Sequence, residues 1–89
     1  MKVLFFATLR KVTGCTETEV HGPADLEGVL RELGARYGSA FKEKVFPDGQ
    51  LSRDVMVMIN GHAVEHLGGS KAVVNEDDTI AIFPRLAGG

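Results

Sequence analysis

The feature that most limits the possible folds of this chain is a single long amphipathic helix. Apolar residues recur at spacings of three and four along residues 26–37, which indicates one apolar stripe. The stripe is formed by Leu26, Val29, Leu30, Leu33 and Tyr37. Asp25 is placed to cap the start of this helix, and Gly38 is placed to end it. Because one stripe covers one face of an apolar layer, the remaining segments must supply that layer.

The segments on either side of the helix carry strand patterns. Apolar runs and Thr/Val–Glu alternation predict strands, and Asn60-Gly61 is a strong signal for a tight hairpin. We predict a loop at residues 11–15 and no regular element at residues 39–54. The predicted strands are residues 2–8, 16–20, 55–59, 62–64 and 79–83.

The order β-β-α-β-β-β in a chain of 89 residues predicts one α+β domain. A mixed sheet with one main helix packed across one face fits this order, which is the ubiquitin-like β-grasp layout. We expect residues 1–84 to form this domain. We expect residues 85–89 to form a flexible, extended C-terminal tail that ends in Gly-Gly.

Composition excludes several classes of protein. A net charge of −2 does not favour the basic surface that nucleic acid requires, and no apolar run is long enough to span a membrane. The single cysteine, Cys15, cannot form an internal disulfide. The apolar residues after Lys2 are too few for a signal peptide, and no small-residue cleavage site follows them. We therefore expect a cytoplasmic protein.

The usual catalytic and metal-binding patterns are absent from the sequence. Cys15 lies beside acidic residues, which gives no reason for a reactive thiol. His62 and His66 are four residues apart but are predicted to straddle a hairpin, so we expect no metal site. The pair Asp77-Asp78 is interpreted as a charged turn. We therefore expect no enzyme active site among these residues.

The Gly88-Gly89 ending offers a different chemistry. The five residues after Pro84 can reach at most about 17 Å beyond the sheet. Glycines lack a Cβ, so they pass through a channel too narrow for other residues, and they leave the terminal carboxylate uncrowded. Adenylation by ATP would turn that carboxylate into a mixed anhydride. A sulfur nucleophile would then give a thiocarboxylate, and an amine would give an amide.

Three segments carry a resemblance to a known family. They are residues 2–7 with Arg10 and Gly14, the segment Ile59-Asn60-Gly61, and residues 75–84 followed by the ending Leu86-Ala87-Gly88-Gly89. With these segments the whole chain resembles the MoaD-like sulfur carriers, the small subunits of molybdopterin synthase, within the wider group of MoaD/ThiS-like carriers.

This resemblance implies a β-grasp fold and a carrier role in the biosynthesis of the molybdenum or tungsten cofactor. An E1-like (MoeB-like) adenylyltransferase, using ATP and Mg²⁺, would activate Gly89, and a persulfide would convert it to a thiocarboxylate. Gly88 would thread the channel of a large (MoaE-like) synthase subunit. There the sulfur would pass to cyclic pyranopterin monophosphate, with a heterotetramer as the expected assembly and no cofactor bound to the carrier itself.

The resemblance also implies which residues contact these partners. They are Phe6, Ala63 and Phe83, and we predict that Arg85 and Leu86 join them at the partner interface. From the residues alone, Leu4 and Phe6 lie on the strand face opposite Phe5, which one helix cannot also cover. That face is either an exposed interface or is covered by residues 39–54.

Arg85 departs from the family pattern, because many members carry a second proline there. A proline would restrain φ, whereas Arg85 adds a charge. The acceptor therefore stays open between molybdopterin and thiamine- or cysteine-type pathways. Two further alternatives are a ubiquitin-like modifier that joins Gly89 to lysines of other proteins, and a binding module with an idle tail.

Overall fold

Five strands form one mixed sheet in the computed structural model, which describes residues 1–85. The strands lie in the order β2-β1-β5-β3-β4, with β1 and β5 parallel and the other neighbours antiparallel. The strands are β1 (Lys2–Phe5), β2 (Glu17–Glu19), β3 (Val55–Ile59), β4 (His62–Ala63) and β5 (Thr79–Pro84). The helices are α1 (Leu9–Thr13), α2 (Leu26–Tyr37) and α3 (Ser39–Val45).

The predicted amphipathic helix is α2, and it packs across one face of the sheet. Asp25 caps it, because its Oδ1 accepts a hydrogen bond of 2.9 Å from the Gly28 N–H. The stripe residues are buried except for Tyr37, which is half-buried. Alternate residues of β1, β3 and β5 complete the core with Val3, Phe5, Val55, Val57, Ile59, Ile80 and Ile82. This arrangement confirms the predicted mixed sheet with one main helix across a face.

The prediction of a strand through residue 8 and a loop after it was wrong in part. Strand β1 ends at Phe5, because Ala7 takes a left-handed φ of 53°. The chain then forms α1, and Leu9 is fully buried in the core. Burial of Leu9 stabilises a one-turn helix that is too short to be predicted from local periodicity.

Residues 39–54 are more regular than predicted. Helix α3 begins directly after Gly38, whose φ of 88° lets the chain turn sharply between two helices. Phe41 and Val45 of α3 are fully buried. The return strand is shorter than predicted, since β4 ends at Ala63 and Val64 begins a 3₁₀ turn.

Among residues 1–85, no helix is long and apolar enough to cross a membrane. The predicted tail lies outside the described residues except for Arg85, so its predicted flexibility stays a prediction. The predicted cytoplasmic location also stays a prediction.

Candidate functional site

The sheet face opposite α2 carries a set of apolar side chains. Met56 and Met58 alternate with buried residues along β3, and both are half-buried. Met56 lies opposite Phe83, and Met58 lies opposite Ala81 on one side and Ala63 on the other. Leu4 pairs with the other side of Ala81. We call this set the apolar face, and its half-buried members are Leu4, Phe6, Met56, Met58, Ala63, Ala81 and Phe83.

The most prominent feature of the apolar face is a stacked aromatic pair. The rings of Phe6 and Phe83 lie with centroids 4.4 Å apart and planes within 15°. The Arg10 guanidinium lies 5.7 Å from the centroid of the Phe6 ring, and its Nε donates a hydrogen bond of 3.0 Å to the Phe5 carbonyl. Cation–π contact and stacking hold Phe6 in place although its backbone lies just past the end of β1.

The alternative that residues 39–54 cover this face was wrong for its helical part. The rings of Phe41 and Phe5 meet edge to face at 6.2 Å, and Phe5 is on the core side of β1. Helix α3 therefore lies on the same side of the sheet as α2. An apolar face with this composition is typical of a protein–protein interface.

The last described residue, Arg85, is attached to the sheet beside the apolar face. Its backbone N–H donates a hydrogen bond of 2.7 Å to the Asp54 carbonyl, and its Nε donates one of 3.2 Å to the Val55 carbonyl. Its Nη2 lies 3.4 Å from Glu65 Oε1. An open groove of about 650 Å³ runs alongside, bounded by α1, α3 and the end of β5.

The structure brings the predicted interface residues Phe6, Phe83 and Ala63 to one face and places Arg85 at its margin. Leu86, Gly88 and Gly89 lie outside the described residues. The prediction that these residues contact partners stays a prediction. Sequence reasoning did not include Met56, Met58 and Glu65 in the site. The alternation in Val-Met-Val-Met-Ile was the signal for the two methionines, whereas nothing local pointed to Glu65.

Other polar and titratable side chains of residues 1–85 lie outside the apolar face. Within the described part of the chain, no group of three or more His, Cys, Asp or Glu side chains is arranged to hold a metal ion. The Cys15 Sγ lies 3.4 Å from the Tyr37 hydroxyl and is partly buried. His21 bridges two exposed carboxylates, Glu19 at 3.2 Å and Glu76 at 2.9 Å. The pKa of the Glu76 carboxyl is lowered, mainly by a hydrogen bond from the Gly22 backbone N–H and secondly by the hydrogen bond with His21.

The five-stranded mixed sheet with α2 across one face defines a ubiquitin-like β-grasp protein. Residues 3–89 match the model of the ThiS family, so the chain belongs to this family of ubiquitin-like sulfur carriers. The resemblance drawn from the sequence is thereby confirmed at the level of the sulfur-carrier family.

Three similar proteins illustrate the range of the family. The chain is 34% identical to small archaeal modifier protein 3 of Haloferax volcanii over 91 residues, covering 100% of this chain and 98% of the relative. It is 29% identical to a chain in the crystal structure of the Amycolatopsis orientalis BexX/CysO complex, with a TM-score of 0.86 and coverage of 99% and 98%. It is 28% identical to a putative molybdopterin converting factor, subunit 1, of Pyrococcus furiosus, with a TM-score of 0.76 and coverage of 96% and 95%.

Proposed function

We propose that this chain carries sulfur as a thiocarboxylate on Gly89 and donates it to cyclic pyranopterin monophosphate in molybdopterin synthesis. The observation that supports the carrier role most directly is the apolar face around Phe6 and Phe83, which ends at the root of the Gly-Gly segment. The face would dock the folded domain on a partner while Gly88 and Gly89 enter that partner's active site.

The proposed chemistry takes place on the Gly89 carboxyl and uses groups supplied by partners. An E1-like adenylyltransferase joins the carboxylate to AMP from ATP and releases pyrophosphate, with Mg²⁺ bound by that enzyme. The terminal sulfur of a cysteine persulfide then attacks the acyl carbon, and AMP leaves. A second thiol cleaves the resulting acyl disulfide, which frees the thiocarboxylate and forms a disulfide. This chain contributes the carried group and the docking surface.

The proposed acceptor follows from the resemblance to the small subunits of molybdopterin synthase, and the similarity to the Pyrococcus furiosus protein supports it. A large synthase subunit would receive Gly88 and Gly89, with Phe6, Ala63, Phe83, Arg85 and Leu86 at the contact. The assembly would be a heterotetramer of two small and two large subunits. Molybdenum or tungsten would be the metal held by the finished cofactor.

Two other fates of the activated Gly89 have specific support. Similarity to small archaeal modifier protein 3 favours a protein modifier, in which a lysine amine attacks the acyl carbon and forms an amide. Similarity to a chain of the BexX/CysO complex favours a carrier with another sulfur acceptor, such as a cysteine- or thiamine-type pathway. All three fates require the same adenylation of Gly89.

The experiment that tests the proposal is intact-mass analysis of the protein isolated from its own cells, with fragment sequencing of its C-terminal peptide. We expect oxygen-to-sulfur exchange confined to Gly89. Purified thiocarboxylate, mixed with the large synthase subunit and cyclic pyranopterin monophosphate, should then yield molybdopterin. Deletion of Gly89 should abolish both results, whereas Leu67→Ala, an exposed change on a 3₁₀-turn segment, should affect neither. Finding Gly89 only as an amide on lysines of other proteins would instead establish the modifier.

A further inference from the structure

Among residues 1–85, Arg85 makes three polar contacts. Its backbone N–H and its guanidinium reach the carbonyls of two consecutive residues, Asp54 and Val55, at the start of β3. The guanidinium also contacts the Glu65 carboxylate in the 3₁₀ turn after β4. One residue thus joins the end of β5 to two other segments of the chain.

The backbone contact depends on the residue type at position 85. Val55 pairs with Pro84 in the β3–β5 ladder, and the hydrogen bond from Arg85 to Asp54 extends that ladder by one residue. Proline has no N–H and could not donate this bond. The ring of Pro84 restrains the φ angle at position 84. The hydrogen bond from the Arg85 N–H orients the backbone at position 85.

The ion pair is exposed, so a stabilising role does not explain it. The side chains of Arg85 and Glu65 are 45% and 53% exposed. Exposed pairs of this kind contribute little to folding stability. The pair does limit the orientations of the Arg85 side chain, whose Nε is bound to Val55 at the same time. The contacts with Val55 and Glu65 together restrain the guanidinium of Arg85, the residue after which the Gly-Gly segment follows.

We propose that Arg85, held by Glu65, is a positioning residue that orients the chain immediately before residues 86–89 for activation of Gly89. This inference rests on the proposed function, because positioning matters only if the Gly89 carboxyl enters an active site. A fixed chain direction at Arg85 lowers the entropic cost of presenting the Gly89 carboxyl to an active site, which raises the turnover of the bound carrier. During activation by the E1-like enzyme, Arg85 then acts mainly through its own chain, and its proposed contact with the large synthase subunit belongs to the later transfer step.

The test is a double-mutant cycle with Arg85→Ala, Glu65→Ala and the double variant, read by ATP–pyrophosphate exchange with the E1-like enzyme of the same genome. We expect Arg85→Ala to lower kcat by about three- to tenfold with little change in KM. Glu65→Ala should lower kcat in the same direction, and the double variant should be no slower than Arg85→Ala. The control is Arg53→Ala, which removes a neighbouring exposed positive charge and should leave kcat unchanged.

Arg85→Lys adds a second comparison, since it keeps the charge and the N–H but loses the fork geometry of the guanidinium. It should recover only part of the lost kcat. Effects confined to KM, or effects of Arg85→Ala and Glu65→Ala that multiply, would overturn the proposal in favour of a direct partner contact. Equal losses of kcat in Arg85→Ala and Arg53→Ala would overturn it in favour of simple charge attraction. No loss of kcat in Arg85→Ala would overturn it outright.

The proposed function and the positioning role fail in different ways. If wild-type protein supports no exchange, the proposed function itself is contradicted, and so is a role in activation. If wild-type protein is active but the variants change only KM, or have effects that multiply, only the positioning role is overturned. Hydrogen exchange at the Arg85 amide gives an independent reading, because Glu65→Ala should speed its exchange and Arg53→Ala should not.

Discussion

The phenyl ring of Phe6 stacks on that of Phe83, with centroids 4.4 Å apart, although 77 positions separate the two residues in the chain. Parallel pairing of β1 with β5 leads to this contact, since Phe5 lies opposite Ile82 and the N–H of Phe6, just past the end of β1, donates a hydrogen bond of 3.2 Å to the Ile82 carbonyl. Residues near the start and the end of the described chain thereby meet on the apolar face.

Replacing Phe83 with alanine should weaken docking without unfolding the domain. We expect the Kd for the E1-like enzyme to rise about tenfold or more, because a few large side chains, aromatic ones above all, often dominate binding at an interface. Calorimetric titration measures the Kd, and circular dichroism measures thermal unfolding. Val73→Ala is the matched control, since Val73 is apolar and 73% exposed but lies outside the apolar face. An unchanged Kd for Phe83→Ala would contradict the assigned docking surface.

Replacing Phe41 with alanine should destabilise the whole domain. Phe41 is fully buried, and its ring meets the rings of Phe5, Tyr37 and Phe46. We expect a loss of about 3–5 kcal/mol in the free energy of unfolding, measured by urea titration. Lys42→Ala, at the next position of α3 but exposed, should change it by about 0.5 kcal/mol or less. Equal effects would show that α3 is not part of the core.

The stability that the Asn60-Gly61 hairpin gives the fold should depend on the asparagine side chain as well as on the backbone conformation at position 60. Asn60 has a φ of 51°, its Oδ1 accepts a hydrogen bond from the Thr79 N–H, and its Nδ2 donates one to Asp78. Asn60→Gly removes the side-chain bonds but suits the positive φ, and we expect a loss of about 1–3 kcal/mol. Asn60→Ala should cost about 1–2 kcal/mol more, because alanine is strained at this φ. Equilibrium unfolding measures both losses, and equal stability of the two variants would contradict the strain argument.

The hydrogen bonds of Glu76 to Gly22 and His21 should make the free energy of unfolding depend on pH in the acidic range. The folded-state pKa of Glu76 is lowered below its ordinary value of 4.5, first by the Gly22 N–H and then by His21. Its contribution is therefore complete above that value and is lost as the pH falls through the folded-state pKa. The stability advantage of wild type over Glu76→Gln, measured by urea midpoints, should be present at neutral pH and shrink in acid. An equal stability advantage of wild type at neutral and at acidic pH would contradict this prediction. An NMR titration of the Glu76 side chain gives an independent check.

Local patterns predicted the elements that are long or have strong signals. The stripe from Leu26 to Tyr37 predicted α2, and Asn60-Gly61 predicted the hairpin between β3 and β4. Helices α1 and α3 were missed because each is short, with five and seven residues, and depends on burial of Leu9, Phe41 and Val45 for its stability. Contacts of this kind are not visible in a window of neighbouring residues.

The sequence by itself determined which residues alternate along each strand, and so which of them share a face, because that periodicity is a local property of extended chain. It also determined the carrier family, through motifs spread over the whole chain. Only the tertiary structure decided which face stays open, since this depends on where α2 and α3 pack. The intramolecular contacts of Arg85 were likewise decided there, because Asp54, Val55 and Glu65 reach it only after β3 and β5 have paired.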